Sequence, residues 1–352
     1  MIKTYSLPEH RKWDEVVSSF PNYDVYYLSG YVRAFALHGD GIPMLVYHES
    51  DNTGKAICVL MIRDVADDPL FDDKIASAEY HDAVTPYGYG GFIAEGDVDV
   101  QVLADELVRA LKDMGIISVF FRFHPVLGNA VSMPGVIDMI PLGKTIAINL
   151  ESADMIWSNI TSKNRNMIRK AEKMGVEIKH GKGKELLREF QSIYNETMEH
   201  DNAEPYYFFG EEFYDSIDDD LKDNYEIFYA VYDGEVIAMS IMIFANGRMN
   251  YHLSGSKYEF RNLAPSNLLL YKAALWGMEH GMRTFHLGGG LGSGEDNLYK
   301  FKAAFNRNSD YRFAIGKSII SKEKYEQLLN LRGFTEEQIT NISYFPQYRA
   351  HK

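Results

Sequence analysis

The sequence predicts an α+β fold made of two similar units in tandem, each a mixed β-sheet flanked by helices. Three observations support this prediction. The chain has 352 residues, which is enough for two average domains. Its C-terminal half carries strand, hairpin and helix signals in a clear order. Its N-terminal half repeats that order more faintly, as a tandem repeat would.

The C-terminal half has the clearest pattern. An Asp-Gly pair at 233–234 and an Asn-Gly pair at 246–247 are hairpin signals, and they separate the β-rich segments EIFYAVYD, EVIAMSIMIFA and RMNYHLSG. Pro265 suits the first turn of a helix, and Gly281 suits the end of that helix. The segment RTFHL then predicts a strand, EDNLYKFKAAF a helix and YRFAIGKSII a last strand.

The N-terminal half contains the same kinds of segment. Two strands, PMLVYHES and KAICVLMIRD, flank the predicted turn SDNTG, and the glycine-aromatic loop TPYGYGGF follows. The segment DVQVLADELVRALKDMG predicts a helix and ISVFFRFHP a strand. We therefore predict one domain over 1–150 and another over 151–352, the second including a helical insert of two helices over 154–203.

Composition and charge limit the functional class. The net charge of −14 disfavours a nonspecific nucleic-acid binder. No apolar run approaches the roughly 18 residues of a membrane span, and the N-terminus lacks the pattern of a signal peptide. Cys58 lies in the apolar run AICVLMI and is expected in the core. We expect a cytoplasmic protein without a transmembrane segment, and no Cys/His spacing predicts a metal site.

The segment HLGGGLGSGEDNLYKFKAAF, residues 286–305, combines a glycine run with a basic helix. No Gly-Lys-Ser/Thr follows the glycines, so this is not a Walker loop. The run is either a close-packed connection or a ligand loop. Lys300 and Lys302 flank Phe301, so one of the two lysines can face a cleft. There it would neutralise a phosphate or stabilise an oxyanion; otherwise both are surface lysines.

A basic cluster over 163–173, KNRNMIRKAEK, reverses the charge of the chain locally. It holds five positive charges against one acid. Lys163, Arg165 and Arg169 are therefore candidates to bind an anionic partner such as a phosphate, a nucleotide or a tRNA backbone. The alternative is a solvated helix face.

Four histidines are candidates for a base, because imidazole titrates near neutrality. His252 lies in YHLSG, His200 ends the second predicted helix of the insert, and His124 and His286 end two comparable strands. His200 is also a candidate substrate-binding residue. Each of the four histidines has a purely structural role as its alternative.

The order of strands and helices in the C-terminal half resembles the GNAT acyltransferase core. The resemblance implies that the pyrophosphate of an acyl carrier rests on amides at the start of the helix after the splayed central strand. In this chain that segment is RNLAPSN, which contains Arg261 and Asn262. It departs from the usual Arg/Gln-x-x-Gly-x-Gly/Ala loop, and Pro265 removes one amide donor.

The whole chain resembles the FemABX-like peptidyltransferases, which are tandem GNAT-fold acyltransferases. The segments TPYGYGGF, FFRFHP, KNRNMIRKAEKMGVEI, FHLGGG and YKFKAAF carry this resemblance together with the long stretch YHLSGSKYEFRNLAPSNLLLYKAALWGMEHG. The resemblance implies that Lys302, in Phe-Lys-x-x-Phe, lies in the active cleft and stabilises charge. Tyr207 and His252 are weaker candidates for proton handling, and Tyr87 and Arg122 are candidates to bind an anionic acceptor or donor.

The resemblance implies an N-acyltransferase that moves an aminoacyl or acyl group to an amine of a cell-envelope precursor, such as a peptidoglycan peptide. No tightly bound cofactor is expected; the donor is either aminoacyl-tRNA or acyl-CoA, and the acceptor an anionic precursor. One alternative is an acyl-CoA-dependent GNAT N-acyltransferase acting on an amino sugar or amino acid. Another is a non-catalytic GNAT-like binding protein.

Overall fold

Two compact units account for the residues that the computed structural model describes, which are 2–50, 54–72 and 74–351. The first unit takes the described residues within 1–22, 26–142 and 313–352. The second unit takes residues 23–25 and 143–312. The predicted turn SDNTG falls partly on 51–53 and so lies outside the described residues.

This division differs from the predicted domains 1–150 and 151–352. The first unit ends a few residues before 150, and it also includes the last 40 residues of the chain, 313–352. The reason is strand pairing, because the strand that the sequence puts last in the C-terminal half hydrogen-bonds to a strand of the N-terminal half. Pairing between segments so far apart in sequence leaves no local signal.

In the first unit, six strands form the order β1-β2-β3-β4-β6-β13, and β5 pairs with β3. All neighbours are antiparallel except β4 and β6, which are parallel. The strands are β1 (Ile2–Ser6), β2 (Ile42–Glu49), β3 (Gly54–Asp64), β4 (His81–Val84), β5 (Ile93–Gly96), β6 (Ile116–Arg122) and β13 (Tyr311–Ile319). The helices are α1 (His10–Ser18), α2 (Ser29–His38), α3 (Val100–Asp113), α10 (Lys322–Leu331) and α11 (Glu336–Asn341).

In the second unit, six strands form the order β7-β12-β11-β10-β9-β8. All neighbours are antiparallel except β11 and β12, which are parallel. The strands are β7 (Asp138–Asn149), β8 (Glu177–Gly181), β9 (Tyr225–Tyr232), β10 (Glu235–Ala245), β11 (Arg248–Ser256) and β12 (Thr284–Gly288). The helices are α4 (Ala153–Asn159), α5 (Ser162–Lys173), α6 (Lys184–His200), α7 (Glu211–Asp220), α8 (Pro265–Glu279) and α9 (Asn297–Ala303).

The two units therefore have the same plan. In each, four strands run antiparallel, the fifth joins in parallel, and the sixth closes the sheet antiparallel. The sixth strand comes from the end of the chain in the first unit and from before the first helix in the second. The predicted α+β class with two similar mixed sheets is confirmed.

The two predicted hairpins form as the sequence indicates. Asp233 and Gly234 have φ of 50° and 80°, and Asn246 and Gly247 have φ of 49° and 74°. Left-handed conformation at both central positions is that of a type I′ turn, which suits the twist of adjacent strands. These turns fix the register of β9, β10 and β11.

The predicted helical insert over 154–203 is wrong as a purely helical insert. The segment contains three helices, and between α5 and α6 it contains β8, which pairs with β9 at the edge of the sheet. Gly175, with φ of 87°, ends α5 and lets the chain turn into that strand. The basic helix α5 and the edge strand are thus parts of the sheet-and-helix layer of the second unit.

Helices cover both faces of the second sheet. Ala238, Met242 and Phe244 of β10 belong to one face and pack in the core cluster with α8. On the other face, Gly255 of β11 has no side chain, and an added Cβ would lie 2.7 Å from the Tyr194 Cα of α6. Helix α6 therefore packs directly on the β11 backbone.

A buried ion network closes the first unit. Asp82 is fully buried and accepts hydrogen bonds from Arg63 Nε at 2.7 Å, Arg349 Nε at 2.6 Å and the Tyr348 hydroxyl at 2.9 Å. Burial acts to raise the pKa of Asp82, but the two guanidinium groups outweigh it and hold the pKa below its ordinary value. The C-terminal residues are thereby fixed to the first sheet. Cys58 lies in the same unit and is fully buried, as expected.

No helix among the described residues combines the length and the apolarity that crossing a membrane requires.

Candidate active site

The central strands of the second unit separate after a short parallel pairing. Residues Arg248–Asn250 of β11 pair with Thr284–His286 of β12. After Asn250, β11 no longer pairs with β12 within the described residues. It continues to pair with β10 as far as Ser256. An opening between two parallel strands exposes backbone groups that a continuous sheet would pair.

A β-bulge lies where the strands separate. Leu253 is opposite Ile241, and Tyr251 is opposite Met242, so β11 has one more residue than β10 here, His252. A bulge re-aims the side chains beside it, because an extra residue reverses the alternation of the strand.

Lys302 lies beside this opening and is 9% exposed. Its Nζ donates a hydrogen bond to the Gly289 carbonyl at 2.8 Å and lies 5.9 Å from the ring centroid of Tyr251. Burial lowers the pKa of Lys302 to about 8, while the nearby Asp296 carboxylate acts in the opposite direction. The ammonium form predominates at neutral pH, in a position where little water screens it.

The glycine run positions this lysine. Asp296 caps α9 by accepting from Tyr299 N at 2.8 Å, and its other oxygen accepts from Leu291 N at 3.1 Å. A Cβ on Gly290 would lie 2.3 Å from the Asp296 carboxylate, and a Cβ on Gly143 would lie 1.9 Å from the Ser293 carbonyl. Gly290 and Gly143 are therefore required for close packing, and the carbonyl of Gly289, next to Gly290, accepts from Lys302.

The start of α8 forms a polar corner. Ala264 precedes the helix with φ of 54°, a left-handed conformation that glycine adopts more easily. Asn267 Nδ2 donates to Asn164 Oδ1 at 2.7 Å. Asn164 is 1% exposed, and within the described residues its Nδ2 has no hydrogen-bond partner. The helix start forms although Pro265 replaces the usual glycine pattern.

Three of the predicted binding residues meet just before α8. The Tyr258 ring lies 4.3 Å from the His200 ring and 3.8 Å from the Arg261 guanidinium. The Asn262 carbonyl accepts from Lys170 Nζ at 2.7 Å, which ties the basic helix α5 to this segment. His200, Arg261 and Asn262 are all exposed.

The basic cluster has two different roles. Arg165 donates to the carbonyls of Trp157 and Ile160 at 3.2 and 3.0 Å, so its guanidinium secures the junction of α4 and α5. The Arg169 guanidinium lies 5.1 Å from the Trp157 ring, and Lys163 is exposed. Arg169, Lys163 and Lys170 therefore supply the accessible positive charge of α5.

His252 occupies the bulge of β11. Burial lowers the pKa of this imidazole to about 3, so it is neutral at neutral pH and a weak proton acceptor. Tyr207 lies in a short 3-10 helix, Pro205–Tyr207, edge-on to Tyr206. Within the described residues no contact joins Tyr207 to Lys302. Of these three predicted catalytic residues, Lys302 has the environment that its role requires.

Tyr87 and Arg122 belong to the first unit. The Tyr87 ring stacks on Phe35 at 5.2 Å, and Arg122 donates to the Thr85 carbonyl at 3.2 Å. Both lie at the loop TPYGYGGF. His124 is buried in this unit, and its Nδ1 accepts from Leu127 N at 3.3 Å, whereas His286 is buried on β12 of the second unit.

The sequence prediction missed Tyr251 and Asn164. No spacing reveals them, because a bulge in β11 and a contact between the distant helices α5 and α8 bring them to the site.

A comparison with protein-family models matches residues 159–302 to the acetyltransferase (GNAT) domain. This part of the chain is similar to a GNAT acetyltransferase domain. The match spans α5, the edge strand β8, the opening between β11 and β12, the start of α8, and Lys302. The protein is therefore an acyltransferase of the GNAT type, and the non-catalytic alternative is not supported.

Solved structures with the same fold extend the likeness over nearly the whole chain. A crystal structure of FemX has a TM-score of 0.63 at 16% identity, covering 93% of this chain and 99% of that one. A conserved protein of unknown function from Bacteroides thetaiotaomicron gives 0.58 at 8%, covering 90% and 99%. L-PGS from Bacillus licheniformis gives 0.54 at 14%, covering 92% and 96%. A search of curated proteins finds no match.

The expected FemABX-like, tandem GNAT resemblance is thereby confirmed for the fold. Among the described residues, no group of three or more His, Cys, Asp or Glu side chains is arranged to hold a metal ion.

Proposed function

We propose that this GNAT-type acyltransferase transfers an aminoacyl group from a phosphate-bearing donor to a primary amine of a cell-envelope precursor. The observation that carries the proposal is the buried ammonium of Lys302 beside the opening between β11 and β12. A buried positive charge at this point favours a reaction in which negative charge develops on the substrate.

The step itself needs little from the protein beyond orientation and charge. A neutral amine attacks the carbonyl carbon of an ester or thioester, and a C–N bond forms as an oxyanion develops. The C–O or C–S bond to the carrier then breaks. Lys302 stabilises the negative oxygen through its ammonium group, and burial strengthens that stabilisation.

The donor's phosphates are assigned to the corner before α8. The amides of a helix start and the positive end of its dipole favour an anion. Asn164 adds a buried amide donor, and Arg261 and Lys170 add charge from two directions. Arg169 and Lys163 on α5 extend the positive surface, as a donor larger than one pyrophosphate would require.

The acceptor class rests on the fold likeness to FemX together with the FemABX resemblance of the sequence motifs. A peptidoglycan peptide amine is the acceptor that this resemblance implies, with the reaction in the cytoplasm. The chain has a net charge of −14, so the basic helix α5 is the surface that would attract an anionic substrate.

A second candidate is acyl-CoA-dependent transfer to an amino sugar or amino acid. The match to the acetyltransferase (GNAT) domain favours it, because enzymes of this type use acyl-CoA as a substrate. Both candidates use the same corner before α8 for the donor's phosphates.

The test is a transfer assay with purified protein. Total tRNA charged with radiolabelled amino acids and, separately, acetyl-CoA are each incubated in parallel with a UDP-linked muramyl pentapeptide, with amino sugars and with free amino acids. The product is detected by mass. A gain of one amino-acid residue from charged tRNA supports the first candidate. Transfer from acetyl-CoA alone, to the peptide or to an amino sugar or amino acid, favours the second. No transfer from either donor to any acceptor amine would overturn the proposal.

A further inference from the structure

Three side chains form a stack on the surface just before α8. His200 ends α6, and Tyr258 and Arg261 lie in a short 3-10 helix, Tyr258–Leu263. The ring centroids of His200 and Tyr258 are 4.3 Å apart, and the Arg261 guanidinium carbon lies 3.8 Å from the Tyr258 centroid. Two planar groups this close to one ring cannot share a face, because non-bonded heavy atoms keep about 3.5 Å apart. His200 and Arg261 therefore cover opposite faces of Tyr258.

The stack is exposed to solvent, and its arginine has no charged partner. Tyr258 is 48% exposed, and the side chains of His200 and Arg261 are exposed as well. In the part of the chain that the structure describes, the Arg261 guanidinium makes no ion pair and no hydrogen bond, and its contact is the face of Tyr258. Ordering three long side chains at the surface costs conformational entropy and buries little apolar area, so the fold gains little from the stack.

Contacts on both sides hold the stack in place. His200 Nδ1 lies 3.2 Å from Asp201 Oδ1, and a carboxylate can only accept, so the imidazole donates through Nδ1. Lys170 Nζ donates to the carbonyl of Asn262, the residue after Arg261, and so anchors this segment to α5. The guanidinium face turned away from Tyr258 is thus a flat surface that is in place before a ligand binds.

A flat, delocalised cation in this position suits a nucleobase. Guanidinium planes and aromatic rings are the surfaces on which proteins stack unpaired bases. Arg261 lies three residues before Ala264, which precedes α8, and a 3-10 helix rises about 2 Å per residue, so their backbones are about 6 Å apart. One ribose bridges a comparable gap between a base and its 5′-phosphate. A phosphate at the start of α8 would therefore place its base at Arg261.

Adenine is the base that both candidate donors carry. Aminoacyl-tRNA ends in an adenosine that is joined to the rest of the tRNA through its 5′-phosphate, and coenzyme A contains an adenosine 5′-pyrophosphate. A carboxylate ligand matches the stack less well. It would bind the edge of the guanidinium, where the support of Tyr258 behind the plane adds nothing.

We propose that Arg261 binds the adenine base of the donor's adenosine 5′-phosphate unit by stacking, and that Tyr258 and His200 position the guanidinium. This inference rests on the proposed function in one respect, which is that the donor's phosphates bind at the start of α8. It adds the nucleoside of the donor and a site separate from the amides of that helix start.

The test measures binding without transfer. Adenosine 5′-monophosphate and ribose 5-phosphate carry the same phosphate and differ in the base, and isothermal titration calorimetry gives a Kd for each on the full chain. We expect the adenine compound to bind about tenfold more tightly, as one stacked base would provide. Arg261→Lys keeps the charge and removes the plane, so it should abolish this preference and leave the Kd of ribose 5-phosphate unchanged.

Arg109→Lys is the matched control, since Arg109 is an exposed arginine on α3 of the first unit. It should leave the preference for adenine intact. Tyr258→Leu removes the support behind the guanidinium and should weaken the preference without lowering the Tm. No preference in the wild-type protein, or an equal weakening of both ligands by Arg261→Lys, would overturn the inference.

Two larger ligands identify the donor that carries the adenine. Coenzyme A and the trinucleotide CpCpA represent the two candidate donors without a reactive acyl group. If Arg261→Lys weakens only one of them, the site belongs to that donor, and if it weakens both, the shared adenosine is what binds. A loss with neither contradicts the inference. Adenine binding without transfer from any donor would overturn the proposed function alone, whereas transfer without a preference for adenine would overturn this inference alone.

Discussion

Lys302 shows how one buried side chain can serve function at the expense of stability. Its ammonium is buried with a single backbone carbonyl within hydrogen-bond distance and a carboxylate farther off. A buried charge with so few partners is weak evidence for a stabilising role, since the free-energy cost of desolvating the ammonium offsets much of the favourable energy of its contacts. We propose that Lys302 is buried here because its ammonium stabilises a negatively charged reaction intermediate.

Replacing Lys302 by Met should separate these two roles. We expect Lys302→Met to reduce kcat/KM for transfer by about a hundredfold or more while the Tm does not fall, because an apolar chain of similar length replaces a buried charge. Lys300→Met is the control, since Lys300 is exposed on the same helix. A large fall in Tm for the Lys302 variant, matching its loss of activity, would assign a structural role instead.

The pKa of about 8 for Lys302 also predicts a pH dependence. Activity that needs the ammonium should fall as pH rises through about 8. Between about 8 and the ordinary value of 10.5, the unfolded chain binds the proton more readily than the folded protein. This residue's contribution to stability therefore rises with pH in that window, and Lys302→Met should remove that slope from the free energy of unfolding.

Ala264 is a second residue of interest, because its backbone conformation is unfavourable for a residue with a side chain. Its φ of 54° directly before α8 is a conformation that costs an alanine about 1 kcal/mol relative to glycine. We expect Ala264→Gly to raise the free energy of unfolding by an amount of that order. Chemical denaturation measures this quantity; a lower free energy of unfolding would show that the packing of the alanine methyl group outweighs the cost of its backbone conformation.

At the scale of the element, helix α5 combines a structural and an electrostatic surface. Arg165 secures the turn from α4, whereas Lys163 and Arg169 leave their charge accessible. The sequence predicted the positive charge of α5 correctly. It could not distinguish Arg165, which donates to backbone carbonyls, from Lys163 and Arg169, whose charge is accessible. That distinction depends on where the preceding helix ends. Helix α4 ends at Asn159, three residues before α5 begins at Ser162.

The double variant Lys163→Ala/Arg169→Ala tests this surface. We expect KM for a polyanionic donor to rise about tenfold with kcat little changed, and the dependence of KM on salt concentration to become shallower. Arg109→Ala/Lys112→Ala removes the same charge from α3 of the first unit and should leave KM unaltered. Equal effects of the two double variants would show that net charge, not this surface, is what matters.

At the scale of the whole molecule, the local order of elements was predictable and the long-range pairing was not. The hairpin turns at 233–234 and 246–247, the start of α8 and the strands on either side follow from turn chemistry and periodicity. The short strand β8 was missed because it is an edge strand with mostly exposed side chains and no apolar alternation. The sixth strand of each sheet was assigned to the wrong unit or to none, because its partner is far away in sequence.

The candidate site was predictable in part for the same reason. Lys302 and the segment before α8 could be found from motifs, since each is contiguous in sequence. Tyr251 could not, because it faces Lys302 only as the result of a bulge in the pairing of β10 with β11. Bulges follow from tertiary packing, which the alternation of a single strand does not encode.

The ion network of the first unit makes a prediction for the entire fold. Asp82→Asn removes the buried carboxylate that Arg63 and Arg349 share, so the free energy of unfolding should fall by about 3 to 5 kcal/mol. Because the pKa of Asp82 is lowered in the folded protein, its contribution is present above the ordinary value of 3.8 and is lost as pH falls through the lowered one. Chemical denaturation at pH 7 and at acidic pH measures both; an Asn variant as stable as wild type at pH 7 would contradict this role.

The origin of the sixth strands has a consequence for synthesis on the ribosome. The second unit finds its closing strand, β7, already made when its last residues emerge. The first unit must wait for β13, which is made only after the whole second unit. Until then the edge of β6 is unpaired and open to association with other chains. The nascent first unit is thus the stage of production most exposed to aggregation, although most of its residues are translated before the second unit.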